Sequence, residues 1–170
     1  MYIPSLIDPN EKLVRFIFAD NFKKRIIALD RIIASDIFLD TRKVGISLQR
    51  LQYCSNELCR GFAERIPNKK YIGFVIFFKN AFEQCMVDFQ EERNYFEAKI
   101  DYTPLDENDH YLSDKDHCQV GDPGNPYHAD LFYINPAISE EENEKGRPHT
   151  SLRLFSQKLF RESEVLLEGI

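Results

Sequence analysis

The 170-residue sequence predicts an α+β fold: a single domain over residues 1–170, with one twisted, mainly antiparallel sheet and helices packed on it. Three observations carry that expectation. Short runs of β-branched and aromatic residues recur along the chain, two long stretches repeat apolar residues at helical spacing, and no segment repeats another. A chain of this length buries roughly 70% of its unfolded surface, so it needs no disulfide or metal to fold.

Leu13-Val14-Arg15-Phe16-Ile17-Phe18 has strand composition. Phe22, Ile26, Leu29, Ile32 and Ile33 recur at helical spacing, while their β-branched content also suits a strand. Val44 to Leu48 reads as a short strand. Gln49 to Ile66 is the clearest helix, with Leu51, Cys54, Leu58, Phe62 and Ile66 on one face and Pro67 as its stop. Tyr71 to Phe78 is apolar on both faces and is expected as a central buried strand. Ala81 to Phe89 and Tyr95 to Tyr102 are expected as further strands. Residues 101–125 form a long, acidic, turn-rich loop, of a length that tends to carry function. His128 to Ile134 alternates as a strand, and Thr150 to Leu167 forms a terminal helix with Leu152, Phe155, Leu159 and Phe160 inward.

A net charge of −6 argues against a general nucleic-acid binder, which must neutralise phosphates with Lys and Arg. No apolar run approaches the ~20 residues that cross a bilayer. Cys54, Cys59, Cys85 and Cys118 form no CxxC pair, and Met1-Tyr2-Ile3-Pro4 lacks a charged region followed by an apolar run. These features lead us to expect a reduced, cytoplasmic protein without a membrane partner. The fourteen Phe and eight Tyr imply a thick apolar core.

All four histidines fall between His110 and His149. Imidazole titrates near neutral pH and ligates metals readily, which makes this region the place to look for chemistry. Alternation along a strand projects His128 and Asp130 to one face, where the carboxylate can orient the ring as a general base. Asn125-Pro126 forms a rigid turn ahead of His128, and the Asn125 amide is a candidate ligand donor. His149, just before the last helix, is a candidate anion partner. His149-Thr150-Ser151-Leu152 resembles the His-x-Ser/Thr motif of two-histidine phosphoesterases, but the matching half, His128-Ala129-Asp130-Leu131, carries an acid where the hydroxyl belongs. His117, Cys118, His128, Asp130 and His149 include zinc-type donors, yet no close ligand spacing supports them, so no metal is assigned and no cofactor is named.

Leu13-Val14-Arg15, Ile46-Ser47-Leu48-Gln49-Arg50, Tyr71-Ile72-Gly73-Phe74 and Asn125-Pro126-Tyr127-His128-Ala129-Asp130 together resemble small bacterial proteins of uncharacterised function. The similarity runs from Leu13 to Leu131, and its most distinctive part is Asn-Pro-Tyr-His-Ala. The resemblance implies a bacterial, intracellular origin and singles out Asn125 and His128; it implies no reaction. Arg15 and Ser47 also resemble the Arg and Ser that ADP-ribosyltransferase folds place around NAD. That resemblance requires a late glutamate, for which Glu162 and Glu164 are the candidates.

Three functions remain in view. The first is a His128-centred ligand-binding or catalytic site with no reaction assigned, for which a hydrolase acting on a small phosphate-containing ligand through His128, Asp130 and His149 is one form. The second is an interaction module of a defence or toxin-type system, with Tyr127 and Tyr133 anchoring a protein partner. The third is an NAD-processing transferase with Arg15 and Ser47 in one cleft.

Overall fold

The computed structural model describes residues 1–39, 45–92, 97–134 and 150–168. Its centre is a six-stranded antiparallel sheet in the order β4-β5-β2-β1-β3-β6. The strands are β1 (Lys12–Phe18), β2 (Gly45–Arg50), β3 (Tyr71–Phe78), β4 (Glu97–Tyr102), β5 (His128–Ile134) and β6 (Glu164–Leu167). Four helices accompany them among the described residues: α1 (Ala34–Ile37), α2 (Asn56–Glu64), α3 (Lys79–Asp88) and α4 (Thr150–Arg161). The expected α+β single-sheet architecture is the observed one.

Residues paired across neighbouring strands share a face of the sheet. On one face Asp101, Asp130, His128, Ser47 and Gln49 lead to Val14, Phe16, Phe74 and Ile76. The other face runs through apolar residues from Ile100, Leu131, Ala129, Ile46 and Leu48 to Leu13, Ile17, Val75 and Phe77, with Arg15 and Arg50 as the charged residues among them. Helices α3 and α4 cover the apolar face. Phe155 of α4, fully buried, meets the rings of Phe82, Phe89 and Tyr133. The Ser156 hydroxyl accepts from Phe38 N and donates to Ala34 O, which ties α1 to α4 across the chain.

Four expected elements differ. Residues 22–33 form short 3-10 turns and a Phe22–Ile32 bridge in place of one regular element. The helix expected from Gln49 begins only at Asn56: Gln49 and Arg50 complete β2, and the Ser55 hydroxyl caps the helix by accepting from Leu58 N. Cys59 and Ala63 are therefore its buried residues, with Leu58 turned outward. Ala81 to Phe89 is helical because Phe82, Cys85, Met86 and Phe89 fall on one stripe facing Phe155 and the sheet. The last helix stops at Arg161, and Val165 and Leu167 return as the edge strand β6, held where Arg60 and Tyr71 both bind Glu168.

The fit of β6 on β3 is close. A side chain at Gly73 would come within 2.1 Å of Leu166 O, so only glycine admits the strand there. At the opposite end of the chain, Arg50 is wholly buried in an ion pair with Glu11, at 2.6 and 3.0 Å. Its guanidinium also donates to the carbonyls of Pro4 and Leu6 and lies against Tyr53 and Tyr102. One buried cation thus anchors the first eleven residues to β2.

Candidate functional site

The sheet opens where β1 meets β2. These strands share only the pairs Leu13–Arg50 and Val14–Gln49, whereas β1 runs beside β3 over its whole length. Past Val14 the two strands part, and Ser47 is paired with Asp130 of β5 but with no residue of β1. Arg15 fills part of the gap: Nε donates to Ile37 O at 3.0 Å and Nη1 to Ser47 O at 3.2 Å. The parting exposes Ser47 while its neighbours Ile46 and Leu48 stay buried.

His128 reaches Ser47 from the adjoining strand. It lies opposite Gln49, one diagonal step away, and its Nε2 is 3.1 Å from the Ser47 hydroxyl. Its Nδ1 is 2.8 Å from Thr103 O. A carbonyl only accepts, so Nδ1 carries the proton and Nε2 is left to accept from Ser47. Burial lowers the His128 pKa from its ordinary 6.5, outweighing the opposing pull of Asp130, the Thr103 carbonyl and Asp109. The ring is therefore held uncharged, in the tautomer a general base for Ser47 needs.

Asp130 stands behind this pair without touching the ring directly. Its Oδ2 is 3.9 Å from His128 Nδ1 and accepts instead from the Thr103 hydroxyl at 2.9 Å and Tyr111 at 2.8 Å. The Thr103 hydroxyl lies 3.1 Å from Nδ1, so it bridges carboxylate and imidazole. The Thr103 carbonyl is thus the group in direct contact with Nδ1, and Asp130 is linked to the ring through the Thr103 hydroxyl.

The loop from 103 to 127 is tied down to hold this arrangement. Leu105 and Asn125 exchange backbone hydrogen bonds, and the Asn125 side-chain oxygen accepts from Tyr127 N to form the turn ahead of His128. Gly124, at φ +83°, sits so close that a Cβ would come within 2.4 Å of Leu105 O. Tyr102 donates to Pro126 O at 2.5 Å.

Ser47 lies between two hollows. One, of about 470 Å³, opens in the gap between β1 and β2 and includes Arg15, Phe18, Lys69 and Arg153, with Asp20 and Asp36 as its acids. The other, of about 450 Å³, lies under Phe62 and Arg65 of the α2 region and includes Gln49, Asn125 and His128 beside Asp106, Glu107 and Asp109. Phe16, Ser47 and Ile66 border both.

The structure thus brings together Arg15, Ser47, His128, Asp130 and Asn125. His149 lies outside the described residues. Tyr127 is buried, packs on Phe62 and accepts from Gly121 N, so it supports the turn and borders neither hollow. Tyr133 donates to Phe38 O within the core. His117 pairs with Asp114 in solvent, and His110 is exposed. Glu164 sits on β6, with β1 and β3 between it and β2, and neither Glu162 nor Glu164 borders the hollows at Ser47. Among the described residues no three His, Cys, Asp or Glu side chains are arranged to hold a metal ion, and no helix is long and apolar enough to cross a membrane.

Fold and site together define an antiparallel α+β protein with a serine–histidine pair at a parting in its sheet. No family model, curated protein or solved structure matches the chain.

Proposed function

We propose that this protein is a hydrolase in which Ser47 is the nucleophile and His128 the general base. One observation carries the reading: an exposed serine hydroxyl lies 3.1 Å from the free nitrogen of a buried imidazole whose other nitrogen is engaged by a carbonyl. The His128 nitrogen takes the Ser47 proton as the oxygen attacks an ester carbon. The ester C–O bond then breaks, and the imidazolium returns that proton to the leaving oxygen. Water, deprotonated by the same nitrogen, next releases the acyl group and restores the hydroxyl. Thr103 and Asp130 serve as positioning residues, because they reach the reacting atoms only through His128.

Arg15, Lys69 and Arg153 make the gap between β1 and β2 the natural seat for an anionic, phosphate-containing part of the substrate. Arg25 pairs with Asp20 at 3.0 Å, which reduces the repulsion such an anion would meet. An NAD-processing reaction receives less support, since neither of its candidate glutamates, Glu162 and Glu164, borders the hollows at Ser47.

The test is covalent labelling with a fluorophosphonate probe, read by peptide mass spectrometry, beside hydrolysis of p-nitrophenyl acetate. Label is expected on Ser47, with both label and turnover lost in Ser47→Ala and reduced at least ~100-fold in His128→Ala. Unlabelled Ser47, or turnover unchanged in Ser47→Ala, would overturn the proposal.

A further inference from the structure

The hollow beneath α2 contains a polar atom that the chemistry above does not use. Gln49 is 2% exposed, and its side-chain oxygen has no hydrogen-bond partner among the described residues. Such an acceptor is costly to bury, and an apolar side chain of similar size would avoid the cost. Gln49 shares a sheet face with Ser47, pairs across the ladder with His128 and borders the hollow with both. A carbonyl oxygen left without a donor calls for one from a ligand.

The rest of the hollow favours a donor that is also positively charged. Asp106, Glu107 and Asp109 border it, against one cation, Arg65. Arg65 is already committed: its Nε donates to Gly61 O and its guanidinium lies over Phe62. Two backbone N–H groups, of Asn108 and His110, hold the Asp106 carboxyl below the usual carboxylate range, so it stays ionised at neutral pH. The opposite hollow has the reverse balance, with three cations against two acids. The two sides of Ser47 therefore differ in charge.

The geometry points to a binding site for a protonated primary amine in the hollow beneath α2, with Gln49 accepting one N–H and the carboxylates of Asp106, Glu107 and Asp109 supplying the field. This inference rests on the hydrolase reading for its meaning: the amine belongs to the leaving group of the ester that Ser47 attacks. The substrate class is then an ester with an anionic group on the acyl side and an aminoalkyl group on the other.

The test uses 1,3-diaminopropane and its neutral counterpart 1,3-propanediol as probes, titrated into the full chain at neutral pH and followed by amide chemical shifts. The diamine is expected to shift the amides around Ser47, Gln49 and His128, and to bind more tightly than the diol. In Gln49→Leu the diamine should bind roughly tenfold to hundredfold more weakly, with the urea midpoint unchanged or raised. Equal binding of diol and diamine, or undiminished diamine binding in Gln49→Leu, would overturn the site. A lowered urea midpoint in Gln49→Leu would also overturn it, because Gln49 would then be serving the fold. The double variant Glu107→Gln, Asp109→Asn provides an independent check: its diamine affinity should fall several-fold, and no change rejects the charged field. Labelled Ser47 without diamine binding rejects this inference alone. Diamine binding without label rejects the hydrolase and leaves an amine-binding site.

Discussion

Removing Glu11 should be among the most damaging single changes in the molecule. The Arg50 side chain is 0% and that of Glu11 1% exposed, and together they form a two-pronged ion pair. Glu11→Leu leaves a guanidinium in the core with the carbonyls of Pro4 and Leu6 and the faces of Tyr53 and Tyr102 as its remaining company. It also removes the carboxylate that accepts from Asp8 N. Breaking a buried pair in this way costs about 3–5 kcal/mol. The surviving carbonyls place Arg50 near the lower end, about 3 kcal/mol, a large share of the roughly 5–15 kcal/mol that holds a domain folded. With a urea slope of about 2 kcal/mol per molar, the midpoint should fall by roughly 1.5 M. The companion change Arg50→Met in the same chain removes the stranded charge, and the double variant should recover at least ~1 kcal/mol over Glu11→Leu. Equilibrium urea unfolding of the four proteins measures each term. A single-variant loss below about 1 kcal/mol, or a double variant no more stable than Glu11→Leu, would refute the assignment of a desolvated charge at Arg50.

Two further expectations concern the site. Burial lowers the His128 pKa, so the uncharged base persists below the ordinary value of 6.5, and the acid limb of kcat/KM should fall below that pH. The unfolded chain takes up the proton first. The stability due to neutral His128 is thus complete above about 6.5 and is lost as pH falls toward the depressed folded value, a loss that His128→Gln should flatten in urea midpoints measured between pH 7.5 and 5. Gly124→Ala should destabilise the chain by roughly 1–3 kcal/mol, since it combines a positive φ with a Cβ driven into Leu105 O and the Asp106 backbone. Amide exchange should quicken in the Leu105–Asn125 pairing before it does in β3, and uniform exchange would contradict a local effect.

Much of the site was legible because side-chain chemistry and strand alternation were. His128 and Asp130 stand on the same face of β5 as their spacing implies, and Arg15 and Ser47 do meet in one cleft. What the sequence could not display is that these belong to one site: Ser47 and His128 lie 81 positions apart and meet only through the register of β2 with β5. Thr103 leaves no mark in the sequence, because its contact with His128 Nδ1 runs through a backbone carbonyl, which every residue possesses. Gln49 is equally unmarked, because apolar residues at helical spacing downstream extend the helical pattern back over it, although the helix waits for the Ser55 cap. Among the secondary elements, α3 has the composition of a strand and the fold of a helix. Its Phe82, Cys85, Met86 and Phe89 stripe has a helical period, but the aromatic content resembles that of the true strands beside it.

The two shared rungs between β1 and β2 make that junction the thinnest place in the sheet. To one side lies the trio β4-β5-β2, to the other β1-β3-β6, each stitched by longer ladders. The molecule is thus laid out like a book whose spine is two residue pairs, with Phe155 packed on Phe82, Phe89 and Tyr133 on the reverse. Anything wedged at the spine pushes on both covers at once, so occupancy beside Ser47 should be felt as a change of twist at the distant edges β4 and β6.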